Sequence, residues 1–153
     1  MSSIEGLDKL FRQLDKLTQD SLISNALSME GAKVRDEAKL LCPVDTGNLR
    51  NSIRCSEPKK DSKGNWSIEI YTNSEYATYV EFGTGKRGQA TNTNSDVAVT
   101  YREDGWCYQD EDGNWWYTEG QPAQPFLYPA LKNNEAKIVI NMAKNIEQQI
   151  RRL

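Results

Sequence analysis

The sequence contains no histidine among its 153 residues. This absence removes the commonest general base, the Ser-His and Cys-His nucleophile pairs, and most catalytic zinc sites. Its three cysteines, Cys42, Cys55 and Cys107, lie far apart, and no Cys-x-x-Cys pair occurs. Widely spaced cysteines in odd number are typical of reduced thiols rather than of disulfides or metal ligands. We therefore predict no catalytic residue, no metal site and no cofactor.

The sequence also lacks long apolar runs and a large excess of charge of one sign. No apolar run approaches the ~20 residues of a membrane span, and no basic segment followed by an apolar run marks a signal peptide, so neither is expected. The net charge is −3, whereas nucleic-acid binding needs clustered Lys and Arg. With 37% hydrophobic residues, the chain is expected to form one domain over 1–153 with a modest core, stabilised in part by subunit contacts.

Apolar residues recur every three or four positions near both ends of the chain, which predicts amphipathic helices. Polar residues at 18–21 are expected to divide the N-terminal region, 1–42, into two helices, and Pro43 to end the second. A C-terminal helix is predicted over 124–153, with Pro129 in its first turn, where a missing N–H costs little. The apolar positions are Ile4, Leu7, Leu10, Phe11, Leu14 and Leu17, then Ile23, Leu27, Gly31, Val34, Ala38 and Leu41, and finally Leu131, Ile138, Val139, Met142, Ala143, Ile146, Ile150 and Leu153.

The region 43–82 changes from helical periodicity to strand periodicity and back. Asp45 or Thr46 is expected to cap a short helix near its start. Alternating apolar and polar residues over 66–72 predict a strand with one buried face. This strand is expected to pair, in an antiparallel hairpin, with the segment that begins at Ile53.

Three further segments follow this hairpin. A short helix is predicted at 76–82, and Gly83 ends it because glycine accepts left-handed backbone angles. The polar tract 83–96 has almost nothing to bury, so we predict a mobile loop. Two Asp-Gly turns predict a three-stranded β-meander over 97–118, which contains six aromatic residues.

This order of elements predicts an α+β fold. The long N-terminal and C-terminal helices are expected to pack on one face of an antiparallel sheet, with the aromatic meander and the mobile loop beside them. The aromatic residues of the meander leave two interpretations open. They stabilise the sheet through cross-strand pairs, or they form a surface that holds a glycan or a peptide.

Three segments of the chain resemble, in the same order, a family of small proteins from tailed bacteriophages and prophages. The segments are PVDTGNLRNSI at 43–53, YATYVEFGT at 76–84 and QPFLYPAL at 124–131. Members of that family are described as minor tail components, tail-completion proteins or head–tail joining proteins. The resemblance implies a non-enzymatic structural protein of the virion neck or tail end, which is assembled in the cytoplasm of the bacterial host.

The resemblance also implies partners and assigns roles to residues. The expected partners are further copies of the chain, arranged as a hexameric ring, and other neck or tail proteins; DNA passes through without specific binding, and no membrane is involved. The residues expected to serve the fold are Asp45, Thr46, Gly47, Leu49, Pro125, Phe126 and Pro129. The residues expected to contact a neighbouring subunit or partner are Tyr76, Tyr79, Glu81, Phe82, Gly83, Thr84, Gly85, Lys86, Arg87, Trp106, Trp115 and Trp116. The alternative function is a glycan-binding or peptide-binding module that uses the aromatic meander.

Overall fold

The computed structural model describes residues 2–152, except the side chains of residues 2–5, 7, 8 and 11. Within this part the helices are α1 (Ser2–Leu41), α2 (Asn48–Ser52), α3 (Ala77–Phe82), α4 (Gly85–Thr91) and α5 (Leu127–Arg151). The strands are β1 (Arg54–Cys55), β2 (Lys59–Lys60), β3 (Trp66–Ser67), β4 (Ile70–Tyr71), β5 (Trp106–Gln109) and β6 (Trp115–Thr118). The predicted α+β class is confirmed. Four side chains of the predicted apolar stripes lie outside the described residues, namely Ile4, Leu7, Phe11 and Leu153.

Helix α1 is a single helix of 40 residues, so the predicted division at 18–21 is wrong. Neither Pro nor Gly occurs in that segment, and each of its polar residues costs roughly a few tenths of a kcal/mol in helix propensity, too little to break a long helix. Asp20 is also held from outside, because Lys60 Nζ lies 2.8 Å from its carboxylate. The helix ends at Leu41, before Pro43, as predicted.

Helix α5 lies antiparallel along α1 and meets it largely through polar side chains. Asn25 Nδ2 donates to Gln149 Oε1 at 3.2 Å, and at the other end Asn133 Nδ2 donates to Glu37 Oε1 at 2.7 Å. Hydrogen bonds from Asn133 and Asn134 lower the pKa of Glu37. We call this interface the amide seam. The side chains that donate across it are those of Asn25, Asn133, Asn134, Asn141, Asn145 and Gln149.

The hydrophobic core lies where α1, α2, α3 and α5 meet. Its largest fully buried side chains are Phe126 and Ile53. Its other members are of small or medium size, namely Val34, Ala38, Cys42, Leu49, Ala77 and Ala130. Large apolar side chains therefore remain at the surface; Leu17 and Val139, for example, are 65% and 74% exposed.

The first hairpin is present as predicted, but its ladder is interrupted. β1 pairs antiparallel with β4, and β2 pairs antiparallel with β3. Between the two ladders, Glu69 N–H donates to Ser56 Oγ at 2.9 Å, while Ser56 N–H donates to Glu69 O at 2.8 Å. Helix α1 packs directly on this hairpin at Gly31, where a Cβ atom would lie only 2.5 Å from Ile68 Cδ1.

The predicted three-stranded meander is a two-stranded hairpin, β5–β6. The segment 97–101, predicted as its first strand, has no strand partner among the described residues. Tyr101 instead donates its hydroxyl to Phe82 O at 2.8 Å, and Asp96 forms an ion pair with Lys132 Nζ at 3.2 Å. These contacts hold the segment against α3 and α5. Strand propensity alone therefore predicted a strand pairing that this segment does not make.

Two smaller predictions are also corrected. The mobile loop predicted at 83–96 is wrong over Gly85–Thr91, which forms α4. Gly85 and Gly88 are buried in this helix. Because glycine has no side chain, the hydropathy of side chains does not predict this burial. The predicted cap of α2 is wrong as well, because the N-cap residue is Gly47, with a φ of 84°, and no side chain caps the helix. Thr46 Oγ1 still accepts a hydrogen bond from Asn48 N–H at 3.3 Å.

Candidate functional site

A buried carboxylate joins α3 to the start of α5. Glu81, in the last turn of α3, accepts hydrogen bonds from successive backbone N–H groups of the first turn of α5, which have no partner within the helix. The donors are Phe126, Leu127 and Tyr128, at 2.8, 3.0 and 2.9 Å. Glu81 is only 5% exposed, so its negative charge is stabilised by these donors and by the helix dipole.

The prediction that Glu81 contacts a partner does not include this internal role. One feature of the sequence points to this role of Glu81, namely that α5 has no capping side chain of its own. Phe126 occupies the N-cap position of α5, and no side-chain hydrogen bond comes from that position. A helix of 25 residues that begins without Ser, Thr, Asp or Asn needs an acceptor from elsewhere in the chain.

Backbone hydrogen bonds fasten the α3–α4 turn (Gly83, Thr84 and Gly85) to the segment that leads into α5. Thr84 N–H donates to Gln121 O at 2.9 Å, and Gln121 N–H donates to Thr84 Oγ1 at 2.9 Å. Gly83 has a φ of 70°, and a Cβ atom on it would lie 2.6 Å from Gln121 O. The turn therefore requires glycine both for its backbone angle and for space.

Exposed aromatic side chains form a groove of about 790 Å³ beside this turn. Tyr76 and Tyr79, on the side of α3, are 46% and 58% exposed. They line the groove together with Trp106 and Tyr108 of β5 and with Arg87 of α4, and we call it the aromatic groove. Five predicted contact residues from two distant segments are thus brought together, namely Tyr76, Tyr79, Thr84, Arg87 and Trp106.

The β5–β6 hairpin presents one face to the groove and the other to solvent. Tyr108 lies opposite Trp116, and Cys107 lies opposite Tyr117. Because side chains alternate along a strand, Tyr117 and Trp115 lie on the face away from Tyr108. These two side chains are 66% and 69% exposed. We call this the outer face of the hairpin, and it consists of Cys107, Gln109, Trp115 and Tyr117.

A single carboxylate organises the tip of this hairpin. Asp110 accepts hydrogen bonds from Trp116 Nε1 at 2.6 Å and from Asn114 N–H at 2.8 Å. These hydrogen bonds, that from Trp116 foremost, lower the pKa of Asp110 below its usual range. The tip therefore keeps a charged acceptor to a lower pH than an ordinary carboxylate would.

The remaining predicted residues lie outside the aromatic groove. Gly83 and Gly85 are buried in the α3–α4 turn, and Phe82 is half-buried beside it. Lys86 is exposed, with its Nζ 3.9 Å from the carboxylate of Glu119. Trp115 and Trp116 lie on β6, on opposite faces of the hairpin. Of the residues predicted to serve the fold, Leu49 and Phe126 lie in the core, and Pro129 lies in the first turn of α5.

Cys42 and Cys55 lie outside the aromatic groove. Burial raises the pKa of the Cys42 and Cys55 thiols, which disfavours the nucleophilic thiolate. In the described part of the chain, no group of three or more His, Cys, Asp or Glu side chains is arranged to hold a metal ion. Aromatic rings, a guanidinium and exposed backbone are what the site offers to another molecule.

Residues 8–83 match the family model described as "Bacteriophage HK97-gp10, putative tail-component". The match covers 76 of the 153 residues, just under half of the chain. The HK97-gp10 match runs from α1 through α3 to Gly83, so it includes Glu81 and excludes the β5–β6 hairpin. No curated protein and no solved structure matches the chain.

The match to the HK97-gp10 family model confirms the predicted resemblance to phage tail proteins. The match indicates a phage tail component. Over residues 2–152, no helix is both long enough and apolar enough to cross a membrane.

Proposed function

We propose that this tail component completes the tail and joins it to the head, as a ring of identical subunits. The observation that carries the proposal is a stripe of exposed leucine side chains near the start of α1. The end of α5 lies beside Leu22, whose carbonyl oxygen accepts a hydrogen bond from Gln149 at 3.2 Å, so α1 extends well beyond α5. In this extension Leu10, Leu14 and Leu17 are 49%, 49% and 65% exposed.

A neighbouring molecule stabilises such a helix face by covering it. Full burial of one exposed leucine side chain contributes about 1.5–3 kcal/mol, so a stripe of leucines is enough to favour association. When identical subunits meet through two different patches, the contact repeats from subunit to subunit, and it forms a ring where the rotation between subunits closes. The count of six subunits rests on the resemblance to tail-end rings.

The proposed ring surrounds DNA without gripping it and performs no catalysis. A net charge of −3 gives the subunit no general attraction to phosphate, since such attraction requires an excess of Lys and Arg. The ring is assembled in the cytoplasm of the bacterial host and remains in the virion, between the tail and the neck proteins that flank it.

Light scattering across a concentration series tests the ring. We expect a mass near six chains for the wild type and a single chain for Leu17→Glu, because a carboxylate would be buried in the contact. Leu40→Glu is the matched control: it makes the same change in the same helix at a residue that is 84% exposed, and its mass should equal that of the wild type. Assembly of Leu17→Glu to the wild-type mass would contradict the proposal.

Infected cells test tail completion separately from ring formation. Deletion of the gene is expected to leave filled heads and finished tails that do not join, as seen by electron microscopy of lysates. Complementation with the wild-type gene should restore joined particles, whereas the Leu17→Glu gene should not. Joined, infectious particles in the deletion strain would exclude the proposed role.

The aromatic groove favours glycan or peptide binding as a second candidate function. Because Trp106 lines the groove, its fluorescence reports on any ligand that stacks there. For a purely structural component, we expect titration with cell-wall oligosaccharides or peptides to leave the emission unchanged. A saturable change that disappears in Trp106→Phe would establish the second function instead.

A further inference from the structure

Helix α5 carries a second apolar stripe, on the side away from α1. Val139, Ile140 and Ile150 are 74%, 56% and 54% exposed. Two exposed alanines lie at helical spacing with them, which places all five on one side of the helix. We call this the outer stripe of α5, and it consists of Ala136, Val139, Ile140, Ala143 and Ile150. The C-terminal stripe predicted from the sequence combined part of this set with residues that face α1.

Basic residues form a rim along one edge of the outer stripe. Residues 127–152 contain five basic and two acidic side chains. Lys132 and Arg151 form ion pairs with neighbouring carboxylates. Lys137, Lys144 and Arg152 have no ion-pair partner within the part of the chain that the structure describes. Arg152 lines a cavity with Leu14 and Leu17 of α1, so the rim consists of Lys137 and Lys144. The helix therefore offers an apolar stripe with a positive rim along one edge, and the stripe is interrupted only by Glu147, which is paired with Arg151.

The outer face of the β5–β6 hairpin has the complementary character. Trp115 and Tyr117 stand on it, both exposed by about two thirds, at 69% and 66%. Residues 102–119 contain six carboxylates and one basic side chain. Glu111 and Asp112, at the tip, make no ion pair among the described residues, whereas Asp110 is occupied by Trp116. A two-stranded hairpin is marginally stable alone, so it gains from being covered.

We propose that the outer face of the β5–β6 hairpin of one subunit packs on the outer stripe of α5 of the next subunit. This inference rests on the proposed ring and adds two further patches to the contact that the exposed leucines of α1 make in it. Trp115 and Tyr117 supply the aromatic anchors that commonly dominate such contacts. The acidic tip meets the positive rim of α5, which orients the approach and disfavours hairpin–hairpin pairing by repulsion.

The contact is head to tail because the two patches belong to different parts of one subunit. The hairpin adjoins the α3–α4 turn, where a Cβ on Gly85 would lie 3.0 Å from Trp106 Cζ3, whereas α5 lies along α1 through the amide seam. Each subunit thus offers one acidic aromatic patch and one basic aliphatic patch. Contacts of this type generate rings or open filaments rather than closed dimers, and the proposed ring requires that the rotation between subunits closes.

Cross-linking in the full-length protein tests this contact directly. Cys107 is an exposed free thiol on the outer face of the hairpin, and Ala143→Cys places a second thiol in the outer stripe. With a short bis-maleimide, we expect Ala143→Cys to give a covalent ladder of dimers and larger species on denaturing gels. The same variant with Cys107→Ser should lose the ladder, as should the wild type.

Gln148→Cys is the positional control, because Gln148 is exposed on α5 but lies outside the outer stripe; it should give no ladder. A ladder that survives Cys107→Ser would overturn the contact. Wild-type multimers by light scattering without a Cys107-dependent ladder would overturn this contact and leave the proposed ring intact. A wild type that stays at one chain, with no ladder in Ala143→Cys, would overturn both.

Discussion

Glu81→Ala is expected to lower the free energy of unfolding by about 3–4 kcal/mol, since it strands N–H donors at a buried helix start and removes the capping charge. The stranded donors include Phe126 N–H, which lies in the core. Glu81→Gln keeps one acceptor oxygen and is expected to lose about half as much. Urea denaturation followed by circular dichroism measures all three proteins.

Glu75→Ala is the matched control for this change. Glu75 is an exposed residue just before α3, so its loss should change the free energy of unfolding by no more than about 0.5 kcal/mol. If Glu81→Ala proves as stable as Glu75→Ala, the carboxylate does not hold α5 in place, and the junction between α3 and α5 must be stabilised by its backbone hydrogen bonds alone.

Gly83→Val is expected to cost about 4 kcal/mol or more, and the variant should accumulate poorly as folded protein. Gly83 has a φ of 70° and a ψ of −174°, a region that is essentially restricted to glycine. A Cβ atom there would also lie 2.6 Å from Gln121 O, from Ala123 N and from Gly88 Cα. These are backbone atoms, which cannot move aside as the end of a side chain can.

Gly64→Val separates the cost of the backbone angle from the cost of the clash. Gly64 has a φ of 88°, but nothing lies within 4 Å of a Cβ built on it. We expect a loss of about 1–2 kcal/mol there, from strain alone. Thermal unfolding of the two variants measures the difference. Equal losses would show that the close approach at the α3–α4 turn contributes nothing.

The sequence correctly predicts the helix ends that depend on a single residue. Pro43 follows the end of α1, Gly83 ends α3, and Pro129 falls in the first turn of α5, as the sequence indicates. Each of these rests on one residue that restricts or frees its own backbone. The predicted alternation over 66–72 is also confirmed, because half-buried and exposed residues alternate along this segment.

The failures occur where a distant contact decides the structure. The polar residues of α4 predict a loop, yet its glycines pack against the segments at 82–84 and 119–121. The segment 97–101 has the composition of a strand, but Tyr101 binds Phe82 O instead. Propensity is a weak prior in such cases, because one tertiary contact outweighs it.

The two hairpins share one type of turn. A six-residue sequence pattern identifies this turn, whereas the dipeptide Asp-Gly alone does not. Asp61 and Asn65 in the first, and Asp110 and Asn114 in the second, make the same hydrogen bonds around a glycine with positive φ. Hydrogen bonds lower the pKa of both aspartates. The pattern Asp-x-x-Gly-Asn-Trp occurs at both places, whereas the dipeptide Asp104-Gly105 closes no hairpin.

The sequence predicts five of the residues that line the aromatic groove, but it does not predict their arrangement. Exposed aromatic residues in α3 and in the meander signal a contact surface, and the fold brings Tyr76, Tyr79 and Trp106 to one groove. The role of Glu81 was hidden, because its partners lie more than forty positions along the chain. The outer stripe of α5 was hidden as well, since two adjacent apolar stripes on one helix read as a single broad one.

The amide seam has a mechanical consequence for the long helices. If α5 slipped along α1 by one turn, about 5.4 Å, Asn25 would leave Gln149 and Asn141 would leave Glu30 in the same step. Asn25 is exposed and would bind water instead, but Glu30 is only 4% exposed, and its carboxylate oxygen left without Asn141 would cost about 1–3 kcal/mol. An aliphatic interface would permit partial slips, whereas these discrete pairs do not. The paired parts of α1 and α5 are therefore held in one register.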